Sequence, residues 1–341
     1  MSASPSRRYW LPALALIAGL TGCAGQTATG AYVPAAAALA RQPIETSAQT
    51  PGSFEPAATG VRIFTANRDG GSVLGFSVAS SGNVAPIEAI AGSKTKLNDP
   101  DSLALDAQGH IYATDDGGTT VQVFAEDATG NIKPSRNIGG SSSHLGPTEG
   151  LLVDPSGDLW ATSYSNNWIT EYAPGARGNV SPIDTIGGSK THLNTPTGMA
   201  RDAGGHLWVA NTRGSSILAF ASGASGNVSP VVSIAGSNTG LITPFALAFD
   251  RTGRLLVADE GAGVLVFAKG ASGNVAPVQT ITGFSYAAGV VADGKNHIWV
   301  ADFSGNSIKE FASNANGNAT PLRTISGSNT QLNGANFLAL Y

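Results

Sequence analysis

The stretch Ser81–Pro86 reads "SGNVAP", and the same six letters return at Ser272–Pro277. Close variants lie between and beyond: "GNIKP" at Gly130–Pro134, "GNVSP" at Gly178–Pro182 and Gly226–Pro230, and "GNATP" at Gly317–Pro321. The Gly-Asn marks therefore start at Gly82, Gly130, Gly178, Gly226, Gly273 and Gly317, in steps of 48, 48, 48, 47 and 44. Other columns keep the same step. An aromatic precedes each mark (Phe76, Phe124, Tyr172, Phe220, Phe267, Phe311), and an isoleucine follows it (Ile90, Ile138, Ile186, Ile234, Ile281, Ile325). Six such coincidences in register mean one structural unit copied six times.

The unit is read from its third full copy. "TGMARDAGG" (Thr197–Gly205) is a strand and an Asp-led turn, and "HLWVANTRG" (His206–Gly214) is a second strand ending on Asn. "SSILAFASGASGN" (Ser215–Asn227) and "VSPVVSIAGS" (Val228–Ser237) supply a third and a fourth. Short runs of β-branched and aromatic residues between Gly, Asn and Asp clusters are strands separated by turns. Four strands at a period near 48 predict an all-β, six-bladed β-propeller of four-stranded blades, numbered from the inside outward. The ends agree. "VRIFTAN" (Val61–Asn67) matches a second strand and "NFLALY" (Asn336–Tyr341) a first strand. The C-terminal strand should join the N-terminal blade and close the ring, which leaves no open edge and predicts a monomer. In this reading the mark is the turn into each outermost strand. Gly82 and Asn83 supply positive φ, and Pro86 is tolerated because an edge strand needs no donor there.

The composition is turn-rich, with 44 Gly and only 12% charged residues in 341. Residues 1–22 stand apart. Arg7 and Arg8 precede an apolar run from Tyr9 to Leu20, too short to span a bilayer, and the order basic, apolar, small is that of an export signal. Leu20, Thr21 and Gly22 before Cys23 resemble a bacterial lipobox, which implies a diacylglycerol on the Cys23 thiol and cleavage before it. Cys23 is the only cysteine, so it has no disulfide partner. Residues 23–60, rich in Ala, Thr and Pro, read as a flexible tether with a reach of about 30–35 Å. Residues 61–341 are the propeller. Without the leader, 17 basic residues face 23 acidic ones, a net of −6, which argues against nucleic acid. The expected place is the cell envelope, on the outer membrane facing periplasm or exterior.

Several columns invite a chemical reading. Phe64, Tyr112, Trp160, Trp208, Leu256 and Trp299 could stack on sugars, but large side chains in one column more readily fill the wedge between blades. Asp106, Asp154, Asp202 and Asp250, each three residues before a Gly, fit a side chain that holds its own turn. His110, His206 and His297 share one column in three different blades and are not expected to converge. Asn67, Asp115, Ser163, Asn211, Asp259 and Asp302 end the second strands and can serve their loops or a ligand. No G-x-S-x-G elbow is present.

The mark lies on the face of the third-to-fourth-strand turns, where the copies are uniform. The opposite face, with the loops after each second strand and into each first strand, is where they vary, and variation within a regular repeat is what a grafted site needs. The candidate ligand residues on that face are Asp101, Asp115, Glu149, Tyr164, Arg213, Phe245, Glu260, Tyr286, Phe303 and Asn336. The fifth loop, within "GFSYAAGVV" (Gly283–Val291), is shortened and should open that side of the funnel.

The stretch "PTGMARDAGGHLWVAN" (Pro196–Asn211) resembles the NHL repeat, and the resemblance runs through all six copies from Val61 to Tyr341, with the fifth and last incomplete. It implies the propeller fold and a binding scaffold, a sensor domain or a lyase. "PTEGLLVDPSGDLWAT" with Glu149-Gly150 is similar to gluconolactonase-like propellers. That likeness implies a calcium ion held by Glu149, Asp101 and Asp259, with Asp302 or Asn336 also placed to contribute, and a lactonase or hydrolase activity. A streptogramin-lyase-like propeller is a further possibility, without a recognisable catalytic histidine pattern. The preferred expectation is a lipid-anchored module that binds a protein or small-molecule ligand and is not an enzyme. The anchor is open to direct test: Cys23→Ser should move the full chain from the membrane fraction to the soluble one. Unchanged membrane retention would show that no lipid on this thiol holds it.

Overall fold

The computed structural model describes residues 61–115 and 118–341. The leader, the tether and Cys23 lie outside the described residues, as do Asp116 and Gly117. The described chain forms six antiparallel four-stranded sheets. In blades two to six the strands run outward in chain order from the inner strands Pro100–Leu105, Gly150–Val153, Pro196–Arg201, Pro244–Phe249 and Ala287–Ala292. Blade one is assembled from both ends: Ala335–Leu340 is its innermost strand and pairs antiparallel with Arg62–Asn67. The backbones of Arg62 and Tyr341 exchange N–H···O bonds of 2.8 and 2.9 Å at the foot of that pair. Each inner strand neighbours the next around the whole circle, so the ring is closed.

Burial follows from the alternation of the strands. Both faces of every blade are covered by neighbouring blades, so the strands read as nearly continuous apolar runs. Six hydrophobic clusters result, one per blade interface. The aromatic before each mark is buried, at 2% exposure or less in all six copies. The second-strand column from Phe64 to Trp299 is buried as well, and its polar tips are satisfied by the turn aspartates. Trp208 Nε1 donates to Asp202 Oδ2 at 2.9 Å, Trp160 Nε1 to Asp154 Oδ2 at 3.3 Å, and Tyr112 OH to Asp106 Oδ2 at 3.2 Å. The other oxygen, Oδ1, takes the backbone N–H two and four residues on, as Asp202 does from Gly204 and His206. The Asp column is thus turn chemistry with a second task, pinning the wedge aromatic.

The Gly-Asn mark does more than turn the chain. Each mark glycine bridges to the outermost strand of the preceding blade, in all six copies. Gly226 N donates to Thr185 O at 2.8 Å, and Gly187 N donates back to Gly226 O at 3.1 Å. The following asparagine then caps the neighbour's loop: Lys190 N donates to Asn227 Oδ1 at 2.7 Å. Asn83, Asn131, Asn179 and Asn274 accept in the same way from Asn329, Lys94, Ser142 and Asn238, each at 2.7 Å. Only the glycine of the pair needs positive φ (Gly82 at 75°), and a Cβ there would meet open space, so the constraint is conformational. The expectation that Asn83 shares it is corrected: the asparagine is there for its side chain. The shortened fifth loop departs from the pattern, because there Asn318 Oδ1 faces Gly283.

Among the described residues all strands and all six clusters belong to the closed ring. Asn227→Ala removes one exposed inter-blade bond and should lower stability by about 1 kcal/mol in denaturant unfolding. Asn318→Ala should change it by less than half of that. Equal losses would show that the clasp contributes nothing beyond the turn.

Candidate functional site

The innermost strands carry a β-bulge near their first residues, seen as a register shift against the second strand in five blades. A bulge re-aims side chains and opens the ladder locally. The bulged position forms an inner ring at the mouth of the channel: Asn336, Asp101, Thr197, Phe245 and Ala288, with Glu149 at the same position in blade three. Asp101 is fully buried, and Asn336 and Glu149 are 2% and 6% exposed. Asn336 Nδ2 donates to Asp101 Oδ1 at 2.9 Å, joining blades one and two. Phe245 does not reach outward to the mouth. It packs on Phe337 with ring centroids 5.1 Å apart and is 5% exposed. Phe337 stands in a column otherwise filled by Ser102, Gly150, Gly198, Ala246 and Gly289, and crosses the axis to lie 3.2 Å from the place a Gly198 Cβ would take. The two phenylalanines plug the channel.

An outer ring is formed by the first residue past five of the second strands, Arg68, Tyr164, Thr212, Glu260 and Phe303; the sixth, Asp116, lies outside the described residues. Arg68 Nε lies 3.4 Å from Asp101 Oδ1. Tyr286 donates its hydroxyl proton to Glu260, and its ring lies 5.5 Å from that of Phe303. Burial pushes the Glu260 carboxyl up to about 7, and Asp259 beside it adds to the rise, while the Tyr286 hydrogen bond and the Arg68 charge oppose it. Blades five, six, one and two therefore bring a guanidinium, two carboxylates, an amide, a phenol and an aromatic ring to the mouth.

The other expected residues fall elsewhere. Arg213 is one position beyond the outer ring and exposed; Thr212 holds the ring position and donates to Pro244 O at 2.7 Å. The guanidinium at the mouth is Arg68, which sequence reasoning missed. Its signal was available, since Arg68 follows Asn67 as Glu260 follows Asp259. The second-strand end column serves the loops: Asn333 N donates to Asn67 Oδ1, Asn98 N to Asp115 Oδ1, Asn194 N to Asn211 Oδ1 and Ser285 N to Asp302 Oδ1. Asp259 accepts from the backbone of Ile242, Thr243, Gly261 and Ala262, and Lys309 pairs with Asp302 at 2.7 Å. Among the described residues Asp101, Glu149 and Asp259 do not place ligand atoms together as one candidate set, and Asp259 turns into its own loops.

Among the described residues two groups could hold a metal ion, both on the opposite face: Asp293, His297 and Glu310, and Asp154, Asp158 and Glu171. They are the same three columns in blades six and three. His297 does converge with acids of its own blade, contrary to the expectation that the histidines stand alone. Its Nδ1 lies 2.8 Å from Glu310 Oε1, and Arg323 already pairs with Glu310 at 2.5 Å. Burial, then Asp158, Asp184 and Asp154, push the Glu171 carboxyl up to about 7.

No protein-family model matches the chain, and neither does any curated protein sequence. Solved structures share its fold. A protein of unknown function from Bacteroides caccae superposes with a TM-score of 0.61 at 12% identity, over 83% of this chain and 99% of its own. A chain of a nidogen/laminin complex gives 0.57 at 16%, over 82% and 98%. A streptogramin B lyase gives 0.51 at 12%, over 84% and 86%. At these identities the likeness is one of fold.

Glu260 supplies a test of the mouth. Its carboxyl holds a proton to about pH 7 when folded, against a reference value of 4.5. Between those values the native state keeps a proton that the unfolded chain releases, so stability falls as pH rises through the window. Glu260→Gln removes this dependence. Stability of wild type relative to the variant should drop by about 2–3 kcal/mol between about pH 4 and pH 8 in denaturant unfolding. A difference independent of pH would show that the carboxyl is ionised throughout.

Proposed function

We propose that the protein is a binding module of the bacterial cell envelope, a β-propeller held to a membrane by lipid on Cys23, with its ligand site at the mouth ringed by Arg68, Asp101, Asn336, Glu260 and Tyr286. One observation carries the reading: polar side chains from four blades meet at one channel mouth above an aromatic plug. Such a shallow, mixed-charge mouth suits a polar ligand that presents both donors and acceptors, as an extended protein segment does. Pairing within the site keeps Arg68 and Asp101 oriented before a ligand arrives, which lowers the ordering cost of binding. Propellers of this shape occur in a nidogen/laminin complex and in a streptogramin B lyase, so the fold admits binding and catalysis alike. A calcium-dependent lactonase would need three or four oxygens free to meet one ion. Asp101 bonded to Asn336 and Asp259 bonded to backbone N–H favour binding over that chemistry.

The test is site-specific photocrosslinking in cells. A photoreactive phenylalanine in place of Tyr164, at the mouth, should capture a partner. One in place of Ser225, on the opposite face, should not. Capture should be lost when Arg68→Glu and Glu260→Lys are combined. Equal capture from both faces, or capture indifferent to the charge reversals, would place the ligand elsewhere.

A further inference from the structure

A cavity opens on the face opposite the mouth. It has a volume of about 780 Å³ and lies among the ends of the inner strands and the turns of blades four and five. A second space of about 210 Å³ continues it up the axis, sharing Leu152, Met199, Leu247 and Leu340 with it. The continuation is walled mainly by aliphatic side chains of all six inner strands, with Asp106 and Tyr341 at its edge, and Phe337 forms part of its wall. Because Phe337 crosses the axis, the two spaces make a well that is open below and closed above. Mean pocket sizes for small organic ligands, about 300–1,000 Å³, bracket the outer part.

The rim differs from the shaft. Arg201, Arg251 and Lys269 stand on it together with Asp202, Asp250 and Asp293. The aspartates are occupied. Asp202 accepts from Gly204, His206 and Trp208, Asp250 from Thr252 and Arg254, and Asp293 from Lys295 and His297. Arg201 is paired with Asp154 at 3.2 Å and lies over the Trp160 ring. Arg251 and Lys269 are exposed at the rim of blade five. The three carboxylates balance the three cations in number, but they are turned into their own turns, while Arg251 and Lys269 stand exposed above a shaft with one closed end.

We propose that this well binds a single-chain carboxylate amphiphile, with its tail in the aliphatic shaft beneath Phe337 and its head among Arg251 and Lys269. Burial of methylenes supplies the affinity, and the rim selects the sign of the head. The proposal does not depend on the mouth on the other face or on the lipid at Cys23.

The test is calorimetric titration of the full chain with dodecanoate below its micellar concentration. Saturable binding at one site is expected, and dodecyltrimethylammonium should bind at least about tenfold more weakly. Two exposed substitutions, Arg251→Glu with Lys269→Glu, should weaken dodecanoate by about tenfold and leave the melting temperature in place. Leu152→Trp, which fills the shaft, should abolish binding. Absence of saturable binding to the wild type would overturn the proposal. So would a preference for the cationic amphiphile, or a dodecanoate affinity unchanged by the rim reversals. A Leu152→Trp protein that melts early is set aside in favour of the rim pair, which decides alone.

Discussion

Everything in this molecule rests on the pairing of Arg62–Asn67 with Ala335–Leu340. A four-stranded blade cannot bury two apolar faces by itself, so each of the six clusters needs a neighbour on either side. In an open array the two end blades would each expose a face and an edge. Sewing the first and last segments into one sheet removes both ends at once. The Gly-Asn clasps then repeat the same solution at the rim, where the mark of each blade bridges to the outermost strand of the one before. The wedge packing inside and the clasps outside fix the inner strands on the axis, and only then can bulged residues from separate blades meet.

That meeting divides the axis into two spaces of different chemistry. Above, the bulges point Asn336 and Asp101 at each other and the outer ring adds Arg68 and Glu260. Below, the inner strands present aliphatic side chains and the turns present their charged tips. Phe337 separates them. It is the one large residue in a column of Ser, Gly and Ala, and the close approach of inner strands at Gly198 leaves it room on the axis. With Phe245 packed against it, Phe337 divides the axis into a mouth and a well.

Much of this was legible in the letters. The period of the marks predicted six blades, the strand types at the ends predicted the closure, and the turn aspartates read as turn aspartates. The members of the mouth were less so. Arg68 was passed over for Arg213 because both follow a second-strand asparagine, and only the column offset of one residue decides which reaches the axis. Phe245 looked like a ligand-facing aromatic, yet the bulge turns it onto Phe337. Asp259 looked like a free carboxylate, yet four backbone N–H groups converge on it.

Sequence alone determined what is local and periodic: strands, turns, blade count and the closure of the ring. These follow from side-chain alternation and turn chemistry, which act over a few residues and are copied in every unit. Tertiary structure alone decided what is shared between blades. The clasp of Asn227 on the Lys190 loop spans 37 positions and recurs from blade to blade, while the Arg68–Asp101 and Asp101–Asn336 contacts span 33 and 235. No period relates the members of the mouth. Their meeting depends on how far each inner strand is bulged and how closely its neighbour approaches, and those are properties of the packed ring.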